Sequence, residues 1–107
     1  MSDAIVVFMT AGSVGEARRI ADHLVEKRLA ACVQVLPEIE SVYRWKGELQ
    51  SEKEVLMLAK TSADKFAELE KSVCAMHTYK TPEIVAVPVS DISEPYRLWL
   101  MENVSAG

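Results

Sequence analysis

The chain is 107 residues long, half of them hydrophobic, with a formal net charge of -4. That length fits a single domain, residues 1–107, with a modest core, and the apolar fraction excludes a disordered chain. Acidic and basic residues are interspersed, which argues against a nucleic-acid partner, and no apolar run approaches the ~20 residues a membrane-spanning helix needs.

Ala4-Ile5-Val6-Val7-Phe8-Met9 is a continuous apolar run rich in β-branched residues, which predicts a strand buried on both faces, ended by Thr10-Ala11-Gly12. Ser13 and Glu16 have the spacing of a capping box. Ala17, Ile20, Ala21, Leu24 and Val25 follow at helical spacing, with Arg18, Arg19, Asp22, Glu26 and Lys27 opposite, so an amphipathic helix lies on a sheet. Residues 29–36 return to strand character. Pro37 interrupts them, which marks an edge or a bulge, and the pattern resumes through Ile39, Ser41, Val42, Tyr43 and Trp45. Lys46-Gly47 is a tight hairpin turn, and residues 51–60 are extended again. A second helix opens at Thr61-Ser62-Ala63-Asp64, with Phe66, Leu69, Val73 and Met76 as its apolar stripe. Residues 83–89 form a fourth strand, with Pro88 at an edge or at the strand's own end. Ser93-Glu94-Pro95 starts a short helix packed through Tyr96, Trp99, Leu100 and Val104, and Ser105-Ala106-Gly107 is read as a frayed end. The order βαββαβ predicts an α+β, ferredoxin-like sandwich with a long hairpin between the second and third strands and a short C-terminal helix.

The second element would span roughly 50 Å if fully extended, against about 23 Å for the first strand. The excess projects with aromatic side chains and unpaired backbone, and such an edge calls for cover by another copy of the chain in a cyclic assembly.

The unusual residues concentrate between Cys74 and Ile84. On a helix, Cys74 and His77 are three apart and share a face, and a thiolate beside an imidazole suits copper or zinc. Each residue has a plainer reading too. Cys74 packs on the helix flank, His77 caps a helix end, and Cys32 is a small apolar residue in a buried strand. Glu54 and Lys60 suit an interface or surface ion pair. Tyr43, Trp45, Tyr96 and Trp99 suit interface anchoring over stacking of a planar ligand. His23 is read as solvated. No G-x-S-x-G, H-E-x-x-H or GxxxxGK[ST] pattern occurs, so an enzyme is not indicated. The Met1-Ser2-Asp3 start lacks the basic region of a signal peptide, and two distant cysteines do not make a disulfide framework. A cytoplasmic setting is therefore expected.

Taken in order, Leu29-Ala30-Ala31-Cys32-Val33, Ser41-Val42-Tyr43-Arg44-Trp45-Lys46-Gly47, Glu54, Lys60-Thr61, His77-Thr78-Tyr79-Lys80-Thr81-Pro82-Glu83-Ile84 and Tyr96-Arg97-Leu98-Trp99 resemble the CutA family of divalent-cation-tolerance proteins across nearly the whole chain. The resemblance implies a homotrimer of ferredoxin-like subunits, similar in architecture to the PII signalling proteins. It also implies a link to copper tolerance and copper binding, with Cys32, Cys74 and His77 at the matching positions. The sequence departs from the pattern at Lys80, where the family often has glutamate, and in the Thr10-Ala11-Gly12 loop, which lacks the Cys or Pro of some relatives. A different class of function stays open: a signalling trimer with a small ligand at its subunit clefts, using Tyr79, Lys80, Glu83 and the 12–15 loop. A structural trimer with no essential ligand is a third reading.

Overall fold

A computed structural model describes residues 3–105. Met1 and Ser2, and Ala106 and Gly107 of the expected frayed end, lie outside the described residues. In chain order the elements are β1 (Ala4–Ala11), α1 (Val14–Glu26), β2 (Cys32–Trp45), β3 (Glu48–Ser62), a 3-10 turn (Ala63–Lys65), α2 (Phe66–Met76), β4 (Ile84–Pro88) and α3 (Glu94–Val104). The four strands form one antiparallel sheet in the order β2-β3-β1-β4, the ferredoxin-like arrangement that the element order predicts.

Strand alternation divides the sheet into two unlike faces. Val7, Met9 and Ala11 of β1 and Val55, Met57 and Ala59 of β3 point to one side. They pack with Ala17, Ile20 and Leu24 of α1 and Leu69 and Val73 of α2. The register sets Cys32, Lys60, Val6 and Val87 in one row of the other side, and Gln34, Leu58, Phe8 and Val85 in the next. Over the end of this second face lies α3, where Leu100 and Val104 join Ala4 and Ala31 in a smaller cluster. The Lys60 ammonium there stands 5.6 Å from the Tyr96 ring centroid, within cation–π range. Val85 and Val87 on the β4 edge remain about half exposed.

The last β1 residue, Ala11, pairs with Val55. Among the described residues, residues 48–54 of β3 therefore have β2 as their only strand partner, and with residues 39–45 they form a two-stranded ribbon projecting from the sheet. Pro37 sits at the ribbon's root, where the β2–β3 register shifts between Leu36 and Ile39. A bulge on an edge strand is a place where a missing N–H does no harm. At the tip, Lys46 and Gly47 both have positive φ, 51° and 80°, the type I′ geometry whose twist matches the strands. The molecule measures 44 × 25 × 22 Å as a result.

Some boundaries differ from the sequence expectation, for identifiable reasons. The second strand starts at Cys32, not Leu29, because Leu29 belongs to the exit from α1. Its N–H and that of Arg28 bond to the Leu24 and Val25 carbonyls, closing the helix with Arg28 at φ 58°. β1 runs on through Thr10 and Ala11 because β3 continues opposite them. Trp99, expected in the packing face of α3, is 42% exposed beside the buried Leu100.

Thr61 ties β3 to this helix exit. Its side chain is fully buried, and its hydroxyl donates to the Leu29 carbonyl at 2.8 Å. Thr61→Val keeps the shape and leaves that carbonyl unpaired, so urea denaturation should show a loss of about 1–3 kcal/mol.

Candidate functional site

The residues with the densest polar contacts gather where β1 runs into α1. Ser13 caps α1, its Oγ accepting the Glu16 N–H at 3.1 Å. A capping-box glutamate normally turns back to the N–H of the cap residue itself. Glu16 instead reaches one residue further and across the fold. Its Oε1 accepts the Gly12 N–H at 3.2 Å and its Oε2 accepts the Thr78 N–H at 2.7 Å. The side chain is only 5% exposed. Burial pushes the carboxyl upward, but the hydrogen bonds from Thr78 and Gly12 outweigh it and hold the group below its usual range. Its place in the first turn of a helix favours the same charge.

Thr78 reaches Glu16 because α2 stops at Met76. His77 is the C-cap, with ψ 143°, so the chain turns extended there. The helical face assumed for Cys74 and His77 ends before His77, and the imidazole folds inward, fully buried. One ring nitrogen, Nε2, lies 2.7 Å from the Thr10 carbonyl, which can only accept, so Nε2 carries the proton. Nδ1 is then the acceptor for the Tyr79 N–H at 3.0 Å. Glu16 Oε2 is 3.5 Å from Nδ1. The Tyr79 ring lies 4.6 Å from the His77 ring, and its hydroxyl donates to Glu54 Oε2 at 2.8 Å. Burial, then the Glu54 hydrogen bond and charge, push the phenol far above its ordinary range. Gly12 lies against Tyr79: a Cβ there would sit 3.4 Å from the phenol oxygen.

The three expected ligands lie in three settings. Cys74 is exposed on α2, His77 is buried with both ring nitrogens engaged, and Cys32 is partly buried opposite Lys60 on the sheet's second face. Among the described residues, no three His, Cys, Asp or Glu converge as a metal-holding group. A complete set of donors thus does not exist among the described residues of one chain as folded. Within the chain, Glu54 and Lys60 have separate partners, Tyr79 for Glu54 and Tyr96 for Lys60. On the ribbon the Tyr43 hydroxyl donates to Glu52, which together with slight burial pushes the phenol up to about 12. Lys80 and Glu83 are exposed and Pro82 is partly buried. Sequence reading missed Glu16 as an anchor, since the Ser13–Glu16 spacing explains it as a cap alone. Among the described residues no helix is long and apolar enough to cross a membrane.

A family model described as CutA1 divalent ion tolerance protein matches residues 5–103. The divalent-cation tolerance protein CutA of Thermus thermophilus is 47% identical over 98 residues, covering 92% of this chain and 95% of that protein. Its counterpart in Archaeoglobus fulgidus is 43% identical with the same coverage. The solved structure of a Thermus thermophilus divalent cation tolerance protein superposes with a TM-score of 0.93 at 45% identity, covering 95% of this chain and 99% of that one. An Archaeoglobus fulgidus structure described as a periplasmic divalent cation tolerance protein gives a TM-score of 0.93 at 40% identity, with the same coverage of both chains.

The Glu16 carboxylate makes a definite pH prediction. Because its pKa is lower folded than unfolded, its stabilisation is complete above the unfolded value of about 4.3 and fades as pH falls through the lower folded value. Thermal unfolding midpoints should therefore drop on acidification below about pH 4.3. Glu16→Gln should weaken the fold at pH 7 by about 1–3 kcal/mol, because its amide can satisfy only one of the two N–H groups, and it should flatten this acid limb.

Proposed function

The chain belongs to the CutA1 divalent ion tolerance family, and from that premise we propose that it acts in divalent-cation tolerance as a homotrimer binding copper, or another soft divalent ion, as cargo. The observation that carries the metal reading is the placement of Cys74. Its thiol is free and open to solvent on α2, three residues before His77. A thiolate is a soft ligand suited to copper, and affinity should fall as pH falls because the ligand must be deprotonated. The remaining donors would come from Cys32, from His77 after its ring leaves a present hydrogen bond, or from another copy of the chain. Assembly is supported by the apolar second face of the sheet, the uncovered β4 edge and the exposed Val42, Trp45 and Leu49 of the ribbon. The proposed role is binding, not catalysis, with no nucleic-acid or membrane partner, in the cytoplasm, where both thiols stay reduced.

A second reading has its own observation. Gly12 of the 12–15 loop lies against Tyr79, and Lys80 and Glu83, which follow Tyr79 in the chain, are exposed. These are the residues that a signalling trimer with a small ligand in its clefts would use.

Native mass spectrometry of metal-stripped, reduced protein titrated with copper tests the proposal. The expected result is a trimer taking up one copper per chain, with uptake abolished by Cys74→Ala and weakened at lower pH. A trimer that stays bare at near-stoichiometric copper rejects the metal reading, and a monomer rejects the assembly. A concentration-dependent rise in the unfolding midpoint with nucleotides or small anions would favour the second reading instead.

A further inference from the structure

The connection between α2 and β4 touches β3 at the root of the ribbon, through Tyr79 and Glu54. We infer that residues 77–79 form a clamp that fixes the pitch of the projecting ribbon, with the Tyr79–Glu54 hydrogen bond as its hold on the ribbon's root.

Glu54 occupies a particular place. It is the first β3 residue beyond Val55, the last with a β1 partner. Across β2 it faces Ile39, the first residue past the register shift at Leu36. The sheet thus narrows from three strands to two, and bulges, at one point. A bulge bends and twists its strand, and a two-stranded hairpin is marginal on its own in water. Within one chain, the ladder alone leaves the ribbon's angle to the sheet soft at this point.

The clamp is rigid where the ribbon is soft. Thr78 is held to Glu16 on α1, and the Tyr79 N–H is held by His77, whose other nitrogen is bonded to Thr10 on β1. The Tyr79 ring lies against His77, and its hydroxyl end lies near Gly12. Its hydroxyl is therefore fixed relative to both β1 and α1 before it meets Glu54. The bond it makes there is charge-assisted, the stronger kind. Val42, Trp45 and Leu49 are 63%, 55% and 71% exposed further along the ribbon, so a small change of angle at Glu54 displaces an apolar surface.

Hydrogen–deuterium exchange of the full chain, resolved by peptide, tests it. In Tyr79→Phe and in Glu54→Ala, amides of residues 39–54 should exchange about tenfold faster, the response to losing one such hydrogen bond, while residues 4–11 and 14–26 keep their wild-type rates. The double variant should add nothing to either single one, and Glu54→Gln, which keeps an acceptor, should stay closer to wild type. Unchanged ribbon exchange in both single variants overturns the clamp. Acceleration spread evenly over β1 and α1 overturns it as well, since that marks general destabilisation. Should Tyr79→Phe not fold, the contrast between Glu54→Ala and Glu54→Gln decides alone.

Discussion

A buried carboxylate must find hydrogen bonds or lose its charge, and the position of Glu16 makes that demand the organising constraint of one end of the molecule. Its two partners come from segments far apart in sequence, Gly12 just before α1 and Thr78 just after α2. Each of those N–H groups in turn gains a charged acceptor in a part-buried hydrogen bond. The outcome of this mutual requirement is visible in the backbone. α2 gives up its helical geometry at His77, so that Thr78 can meet Glu16 and the imidazole can meet Thr10. The end of α2 is thus set by partners on α1 and β1. A helix-stop residue of its own plays no part, for Pro82 lies well beyond the turn.

Unequal strand lengths impose the second constraint. β1 has 8 residues and β4 has 5, whereas β2 has 14 and β3 has 15. The long pair must outrun the sheet, and antiparallel pairing with a type I′ turn keeps its strands together as it does so. Covering one face with α1 and α2 and only the end of the other with α3 leaves a slab that is apolar on its less-covered side. Both constraints meet at Glu54, where the last residue under control of the sheet gives way to the first that depends on Tyr79.

Much of this was legible in the residues. Apolar alternation and the Lys46-Gly47 turn place the strands, and the spacing of Ala17, Ile20 and Leu24 places α1 against the sheet. Pro37 announced the bulge through its missing donor. The candidate site was only half legible. The Cys74–His77 spacing assumed a helix through both. Nothing local says that a helix will stop at Met76 when the reason is a carboxylate 62 residues before Thr78. Glu16 was hidden for a related cause, because a local capping role already accounts for a glutamate three residues after Ser13. Long-range hydrogen bonds leave no periodicity, so pattern reading assigns such residues to their nearest local explanation.

The same bonds bear on how a metal could be held. A metal-binding imidazole is commonly oriented by a hydrogen bond from its other nitrogen to a carbonyl or carboxylate. His77 already has such a bond from Nε2 to Thr10, which leaves Nδ1 as the nitrogen available to a ligand. Yet Nδ1 accepts the Tyr79 N–H, and Glu16 Oε2 stands 3.5 Å away. Ligation there would release Tyr79 and set a carboxylate already bonded to Thr78 beside the ion. Cys74 carries no such obligation, since its thiol is exposed on the outer surface of α2. On the metal reading the two residues are therefore unequal. Cys74 is free to engage cargo with the fold unchanged, whereas His77 joins only by loosening the segment that holds the ribbon, so that cargo affinity and ribbon order would be linked through one imidazole.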